Sequence, residues 1–337
     1  MKRRSQVRIH DEPKKLIKLS QNSAKNGEKS AVKDEPLNLT DLDDYCLEVI
    51  FKYLPLVDLL NIAQSNERFV AEARLSARRL FREKTVKINT SSIEIVEQLH
   101  EWNCVENVYD KICFKENPMQ TISMFFKNFG NAITDLKVVN KFQIDDDTTL
   151  GQFIDTYLKQ LEHFKLQCHL DQMQSKLESE MVDSEIIQNI KKLMTYSVPR
   201  IQFTSLLQLE LIQVVNTVDL NEIVDFICQN PGLVQLTMKY ADWSRYQFSD
   251  EHISKIIDSL PNLSELSLEH DTMSARGVEY ILTNSKSLKK LRLFVYCKVI
   301  GYDYYDDYLF ANIGTDWKVT LELFDEFIYR LEFNRTD

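Results

Sequence analysis

One apolar motif recurs along most of this 337-residue chain, and it restricts the fold more than any other feature of the sequence. The motif is LxxLxL, whose last two apolar residues lie two positions apart and so point to the same side of a β-strand. In chain order its copies are YDKICF (109–114), ITDLKV (133–138), LEHFKL (161–166), LLQLEL (206–211), LVQLTM (233–238), LSELSL (263–268) and LKKLRL (288–293). Successive copies are 24, 28, 45, 27, 30 and 25 residues apart. Because one unit cannot bury its apolar side alone, the sequence predicts a stacked array of units.

Segments with apolar residues at helical spacing separate the motifs. They are SSIEIVEQLHEW, TISMFFKNFG, LGQFIDTYLKQ, SEIIQNIKKLM, DLNEIVDFICQN, SDEHISKIIDSL and SARGVEYILTN. Several begin with Ser, Thr or Asp, which cap helix N-termini. We therefore predict an α/β fold in which roughly eight parallel strands line a concave face and helices form the convex face.

The segment ahead of the array has a different pattern. In LDDYCLEVIFKYLP, residues Leu47, Ile50, Phe51 and Leu54 form one apolar stripe at helical spacing. Asp43 is predicted to cap this helix, and the proline that follows Leu54 ends it. The runs LVDLLNIA and ERFVAEARLSARRLF predict two more helices. Three short helices bury little surface, so such a module needs a partner or a neighbouring domain.

Four regions are expected along the chain. They are a disordered basic tail (1–37), a three-helix module (38–83), the repeat array (84–324, with an insertion at about 168–183 and one helix at about 184–195) and a C-terminal cap (325–337). The segment YDDYLFANIGTDWKVTLEL is predicted to be a degenerate last repeat, and DEFIYRLEFNRTD to cover the open end of the stack.

Charge and composition exclude several classes of function. Residues 1–36 carry a net charge of +5, so the remainder of a chain at −10 carries −15 and repels phosphate backbones. For this reason we do not expect nucleic acid as a partner. We do not expect a membrane either, because no run of 18 apolar residues occurs. Six cysteines without a CxxC pair are typical of reduced thiols in the cytoplasm or nucleus.

The motifs that carry chemistry are missing. The sequence has neither GxGxxG nor GxxxxGK[ST] nor GxSxG, and His163, Cys168 and His169 match no zinc-ligand spacing. We therefore expect a non-catalytic protein with no catalytic residues, no cofactor and no metal.

The segment LDDYCLEVIFKYLPLVDLLNIAQSNERF (42–69) resembles the F-box of cullin–RING ubiquitin-ligase adaptors. The repeats that follow resemble the leucine-rich-repeat class of F-box proteins, most like insect members. This resemblance implies that the helical module docks on the Skp-type adaptor, and through it on the cullin of an SCF ubiquitin ligase, while the repeats hold a substrate protein. The adaptor-binding residues it implies are Leu42, Asp43, Asp44, Leu47, Ile50, Phe51, Leu54, Pro55, Asp58, Leu59 and Arg68. Family members usually carry Pro after the first Leu, where this chain has Asp43.

Residues between and directly beside the last two apolar positions of each motif alternate with them, so they point to the concave face, which is the predicted substrate-binding surface. They are Lys111, Lys115, Asp135, Lys137, His163, Lys165, Gln208, Glu210, Gln235, Lys239, Glu265, Glu269, Lys290, Arg292 and Phe294. The first strands are basic on this face, and two interpretations stay open: a surface that reads a partner of mixed charge, or an ordinary solvated sheet face. A scaffold that binds partners without any ubiquitin ligase, with the three helices as its N-terminal cap, is the alternative function.

Overall fold

The structure, a computed structural model, describes most of the chain after residue 37. The described ranges are 38–98, 106–114, 117–139, 150–167, 185–195, 198–199, 202–212, 219–239, 248–269, 274–296, 315–325 and 328–336. The predicted tail (1–37) and insertion (168–183) lie outside them. The chain divides into two units, Met1–Leu42 and Asp43–Asp337. In the first, Leu39–Asp41 form one 3₁₀ turn; every element below belongs to the second.

Three helices open the second unit, as the sequence predicts. They are α1 (Asp44–Phe51), α2 (Leu56–Ser65) and α3 (Glu67–Phe81). Asp43 caps α1 by accepting a hydrogen bond of 2.7 Å from the backbone N–H of Cys46. Phe51 is buried and meets Phe69 edge to face at 5.9 Å between ring centroids, which joins α1 to α3.

Twelve strands form one sheet within the described residues. They are β1 (Thr85–Ile88), β2 (Ser92–Gln98), β3 (Glu106–Cys113), β4 (Asp135–Val139), β5 (His163–Gln167), β6 (Lys192–Thr195), β7 (Gln208–Ile212), β8 (Gln235–Lys239), β9 (Glu265–Glu269), β10 (Lys290–Tyr296), β11 (Trp317–Asp325) and β12 (Ile328–Arg335). Their spatial order is β11-β12-β10-β9-β8-β7-β6-β5-β4-β1-β2-β3.

Parallel pairing runs through the middle of this sheet. Strand β1 and the seven strands β4 to β10 are parallel, whereas β2 and β3 at one edge and β12 and β11 at the other are antiparallel. Helix α4 (Pro118–Phe129) connects β3 to β4. Helices α5 (Leu150–Tyr157), α6 (Leu220–Cys228), α7 (Asp250–Ser259) and α8 (Ala275–Asn284) lie in the connections between parallel strands. The prediction of an α/β fold with a mostly parallel sheet is confirmed.

Within the described residues, helices cover one face of the sheet and the other face is open. Along β4, β7 and β8 every second side chain is buried and the others are half-buried, the alternation expected of a sheet with one face open. The buried side chains are those of the LxxLxL motif, including Leu136, Leu209 and Leu236.

A backbone bond repeats at each step of the array. The carbonyl of Lys191 accepts hydrogen bonds from the backbone N–H groups of both Leu207 and Gln208. The carbonyls of Thr134, Glu162, Leu207, Val234 and Ser264 each accept the same pair of bonds from the next unit. Because the pattern includes β6, this strand is a full member of the series although its sequence has no regular LxxLxL motif.

Two elements predicted from the sequence are wrong. The predicted helix SSIEIVEQLHEW contains β2 instead, because Ile93 and Ile95 pair with Ile88 and Val86 of β1 and are buried. The helix predicted at about 184–195 is a 3₁₀ turn (Glu185–Asn189) followed by β6.

The ends of the sheet also differ from the prediction. YDKICF lies in β3, an antiparallel edge strand, so the parallel series begins instead with β1, which has no LxxLxL motif. The expected last repeat contains β11, and β12, in the segment expected to cover the end of the stack, pairs along the whole of β10.

Candidate partner-binding faces

The open face of the sheet carries three rows of side chains that run across the strands in register. The first row is Asp135, His163, Lys192, Gln208, Gln235, Glu265 and Lys290. The second is Lys87, Lys137, Lys165, Met194, Glu210, Thr237, Ser267, Arg292 and Glu332. The third contains Val139 and Gln167 on β4 and β5, and Ile212 and Lys239 on β7 and β8. The backbone register places Glu269 and Phe294 at the next two positions of this row. Most of the predicted substrate-binding residues on β4 to β10 therefore share this face.

At the β1 end, ion pairs neutralise the lysines. The carboxylate of Glu106 accepts hydrogen bonds of 2.6 Å from the ammonium groups of both Lys87 and Lys137. Burial raises the pKa of Glu106, but these two hydrogen bonds outweigh burial and hold the pKa below its ordinary value. A second carboxylate, Glu94, lies 3.5 Å from Lys87. We call Lys87, Glu94, Glu106 and Lys137 the Glu106 cluster.

Asp135 continues this pattern on the next strand. Its Oδ2 lies 3.6 Å from the Lys165 ammonium and 3.3 Å from the His163 ring Nδ1. Burial raises the pKa of Asp135, but the His163 hydrogen bond and the Lys165 charge together lower it by more. The net shift of the pKa is therefore downward. The sequence predicts a basic surface at this end, and that expectation is wrong because Glu94, Glu106 and Asp135 balance the three lysines of the second row.

At the opposite end, one carboxylate holds three cations. Glu332 of β12 lies 3.0 Å from Lys290, 3.1 Å from Arg292 and 3.3 Å from Arg330. Burial alone would raise the pKa of Glu332, but hydrogen bonds from Lys290, Asn334 and Arg292 lower it from 4.5 to about 2. We call Lys290, Arg292, Arg330 and Glu332 the Glu332 cluster.

The open face forms a groove of about 320 Å³ that is lined by strands β5 to β10. We call it the central groove, and the side chains at its centre are Lys192, Met194, Gln208, Glu210, Gln235, Thr237, Glu265 and Ser267. Lys165, Lys239, Lys290 and Arg292 also line it. Glu210 pairs with Lys239 at 2.7 Å. Neither Lys192 nor Glu265 has an ion pair among the described residues.

Three predicted members of the face are not available there. Phe294 is only 4% exposed, so its side chain packs inside the fold instead of facing a partner. Lys111 stands on the antiparallel strand β3, opposite Glu94, and not in a parallel repeat. Lys115 lies outside the described residues.

Sequence reasoning missed the acidic partners and one strand of the groove. Glu106 and Glu332 lie on antiparallel strands at the two ends of the sheet, for which no repeat motif gives a register. Lys192 and Met194 lie on β6, whose motif Ile190-x-x-Leu193-x-Thr195 is a degenerate LxxLxL that could have been found by allowing Thr at the third apolar position.

A second candidate surface lies on helices α1 and α2. Tyr45, Val49, Ile50 and Tyr53 are exposed in and just after α1, and Val57 is exposed at the start of α2. Half of the ten exposed large apolar side chains in the described part of the chain fall between residues 45 and 57. A patch this concentrated is typical of a docking surface. We call these five residues the α1 patch.

The structure corrects the roles predicted for some adaptor-binding residues. Leu47, Phe51 and Leu59 are buried between the helices, so their side chains hold the module together and do not face a partner. The physical reason is that only part of the apolar stripe packs against the other helices. Ile50, one position away from Phe51, lies at the edge of this packing and is 39% exposed. Leu54 is half-buried and Pro55 is exposed.

The polar members of the predicted set are accessible. Asp43, Asp44, Asp58 and Arg68 are all exposed, and the Arg68 guanidinium lies 3.4 Å from the Asp44 carboxylate. An exposed pair of this kind adds little stability, so both groups are available to a partner. Leu42 is half-buried in the first unit.

The helical module is fastened to the sheet and its helices. The Asp110 carboxylate of β3 accepts a hydrogen bond of 2.7 Å from the backbone N–H of Leu56, at the start of α2. Arg74 of α3 donates to the carbonyl of Asn128 at 2.7 Å. Phe81 of α3 meets Phe125 of α4 at 6.0 Å. The α1 patch and the open face are therefore parts of one folded unit.

Other chemistry finds no support in the described ranges. His, Cys, Asp and Glu side chains there nowhere form a group of three that could hold a metal ion. No helix in those ranges is both long enough and apolar enough to cross a bilayer.

A comparison of the chain with models of known protein families gives no match, and a comparison with curated proteins gives none either. The assignment of a function therefore rests on the two surfaces themselves.

Proposed function

We propose that this chain is the substrate-recognition subunit of an SCF ubiquitin ligase. In this proposal α1 to α3 are an F-box that docks on the Skp-type adaptor and thereby on the cullin. The parallel strands are leucine-rich repeats whose open face, the concave face of a solenoid, holds the substrate protein while other subunits transfer ubiquitin. The chain itself is non-catalytic and uses no cofactor.

The α1 patch is the observation that carries the proposal. Burying exposed apolar side chains at an interface stabilises a complex, and tyrosine is a frequent centre of binding energy. The patch lies in the segment that resembles an F-box, and its side chains are exposed whereas Leu47 and Phe51 of the same segment are buried. A separate open face on the same folded unit supports a division between docking and substrate binding.

The docking half is tested with purified full-length chain and purified Skp-type adaptor. Ile50→Asp places a charge in the patch, and we expect it to weaken binding by at least about tenfold, which corresponds to about 1.4 kcal/mol. Leu207→Asp is the matched control, because Leu207 is 42% exposed but precedes β7, away from the module. Thermal unfolding of both variants checks that each is folded.

The outcomes separate the two candidate functions. Binding by the wild type that only Ile50→Asp disrupts supports the ligase subunit. Failure of the folded wild type to bind the Skp-type adaptor contradicts it.

A leucine-rich-repeat scaffold that acts without a ubiquitin ligase is the second candidate. The attachment of α2 and α3 to β3 and α4 favours it, because the terminal units of a repeat array are commonly covered by a capping element. In that case the open face keeps its binding role and the α1 patch has no cullin-linked partner.

A further inference from the structure

The central groove contains charged groups that the fold itself does not satisfy. Lys192 on β6 and Glu265 on β9 are both half-buried, and neither side chain has a hydrogen bond or ion pair within the described residues. Their neighbours differ, since Lys165 pairs with Asp135 and Lys290 pairs with Glu332. Partly desolvating a charge without a partner costs free energy, which a bound molecule of opposite charge would recover.

A buried hydroxyl gives a second, independent sign of a ligand. Ser267 is 5% exposed, and its Oγ has no hydrogen-bond partner among the described residues. It lies in the second row, two residues along β9 from Glu265. Buried polar atoms are nearly always paired in folded proteins, so an unpaired hydroxyl at the floor of an open groove indicates a missing partner.

Two amides stand between the unpaired charges. The first row reads Lys192, Gln208, Gln235 and Glu265 across four neighbouring strands, and neither glutamine side chain has a partner within the described ranges. A glutamine amide both donates and accepts hydrogen bonds, which matches the alternating N–H and C=O groups of a polypeptide backbone. Met194 adds a half-buried apolar contact beside Lys192.

The spacing of the row defines what fits. Three strand-to-strand steps of about 4.8 Å separate Lys192 from Glu265 by about 14 Å. An extended polypeptide advances about 3.3–3.6 Å per residue, so this distance corresponds to about four residues. A segment lying across the strands would therefore meet Lys192 and Glu265 with side chains four positions apart.

We propose that the central groove binds an extended segment of a partner protein that carries an acidic and a basic residue four positions apart. The acidic side chain pairs with Lys192 and the basic side chain with Glu265. Gln208, Gln235 and Ser267 bond the backbone between them. This inference rests on the proposed function in taking the occupant of the face to be a protein, and it adds the chemistry of the recognised segment.

The charge arrangement disfavours other occupants. A nucleic acid would bring phosphates to Glu265, and the body of the chain already carries a charge of −15 by difference. A metal ion would find no group of three His, Cys, Asp or Glu side chains among the residues that the structure describes. A single extended segment of mixed charge satisfies both Lys192 and Glu265.

The test uses the purified full-length chain and an array of peptides of about ten residues, long enough to span four strands. Each peptide contains one Asp and one Lys at fixed positions, with uncharged mixtures elsewhere. The separation and the order of the two charged residues vary. We expect the wild type to prefer a separation of four in one order, roughly three- to tenfold over shorter and longer separations. The preference weakens at high ionic strength.

A charge-swap variant provides the decisive comparison. Lys192→Glu combined with Glu265→Lys should keep the preferred separation and invert the preferred order, which a merely structural role of these residues would not produce. Glu251→Lys with Lys286→Glu is the matched control, because it makes the same charge exchange at exposed positions outside the groove.

Each outcome decides the matter. A preferred separation in the wild type and its inversion in the charge-swap variant support the proposal. Equal binding at all separations, no binding by the folded wild type, or no inversion overturns it. Docking on the Skp-type adaptor is measured on the same samples. If the wild type docks on the adaptor but shows no preference for the order of the Asp and Lys in the peptides, only this inference is rejected. Loss of docking with retained order preference rejects only the ligase assignment.

Discussion

The ends of the open face and its centre use the same kinds of residue for different purposes. At the ends, Glu106 forms ion pairs with two lysines and Glu332 with three cations, so these charges are paired inside the fold. At the centre, Lys192 and Glu265 stand about three strand steps apart with no partner among the described residues. Charged residues on a repeat face therefore divide into those that stabilise the sheet and those left for a partner. Residue type alone does not reveal the division.

The largest effect that we expect is the loss of folding stability at low pH, which comes from the ends of the open face. Glu106, Asp135 and Glu332 have lowered pKa values in the folded chain, with that of Glu332 at about 2 against an ordinary 4.5. Their contribution to stability is complete above about pH 4.5 and is lost as the pH falls toward about 2. We expect Glu332 alone to account for a loss on the order of 3 kcal/mol of unfolding free energy across this window, with further losses of the same sign from Glu106 and Asp135, measured by urea denaturation.

The control for the acid effect is Glu106→Gln combined with Glu332→Gln. Two of the three depressed carboxylates are then absent, so stability should depend less steeply on pH between about 5 and 2. A pH dependence as steep as that of the wild type would break the distinction between ends and centre.

Glu332→Gln alone is expected to have the next largest effect. It leaves Lys290, Arg292 and Arg330 without their shared carboxylate, which is only 13% exposed, and should cost about 2–3 kcal/mol at neutral pH. The matched substitution Glu265→Gln removes a carboxylate with no internal partner and should change stability by less than about 0.5 kcal/mol. Equal losses in the two variants would contradict the comparison.

Glu106→Gln should have a smaller effect at the other end. Two lysines lose one partner, although Lys87 keeps Glu94, and the expected cost is about 1–2 kcal/mol. Glu210→Gln, which breaks a pair with one lysine, should cost less than about 1 kcal/mol. Urea midpoints measure the two costs, and we expect the loss of Glu106 from the Glu106 cluster to cost more than the loss of the Glu210–Lys239 pair.

The smallest expected effect lies in the centre. Lys192→Ala and Glu265→Ala should each leave the free energy of unfolding within about 0.5 kcal/mol of the wild type, because neither side chain supports a neighbour. Calorimetry measures this directly. A loss above about 1 kcal/mol in either variant would show that the residue is structural, and the central groove would lose its distinctive property.

Much of the fold follows from the sequence because its signal is local. The LxxLxL copies place β4, β5 and β7 to β10, and helical spacing with polar caps places α1 to α4 and α6 to α8. These elements each bury their own motif against the next unit, so the pattern survives in every copy.

The errors arise where pairing partners, and not local pattern, decide the structure. Ile93 and Val96 fit a helix as well as a strand, and pairing with β1 selects the strand. Thr195 hides β6 because a hydroxyl replaces the expected leucine at a buried position.

The candidate site shows the same limit. Side-chain alternation predicts which residues share the open face, but Lys137 meets Glu106 and Arg292 meets Glu332 across 31 and 40 residues of sequence. No sequence motif predicts those ion pairs. On α1 the apolar stripe identifies the helix, yet only packing against α3 tells which residues are buried, such as Phe51, and which remain exposed, such as Ile50.

Affinity purification with mass spectrometry tests the central claim, that one chain joins a ligase and a substrate through two separate surfaces. Wild type, Ile50→Asp and the Lys192→Glu/Glu265→Lys variant are compared. We expect Ile50→Asp to lose the Skp-type adaptor and cullin while keeping other partners, and the charge-swap variant to do the reverse. Absence of a cullin from the wild-type complex, or loss of the same proteins from both variants, would contradict the account.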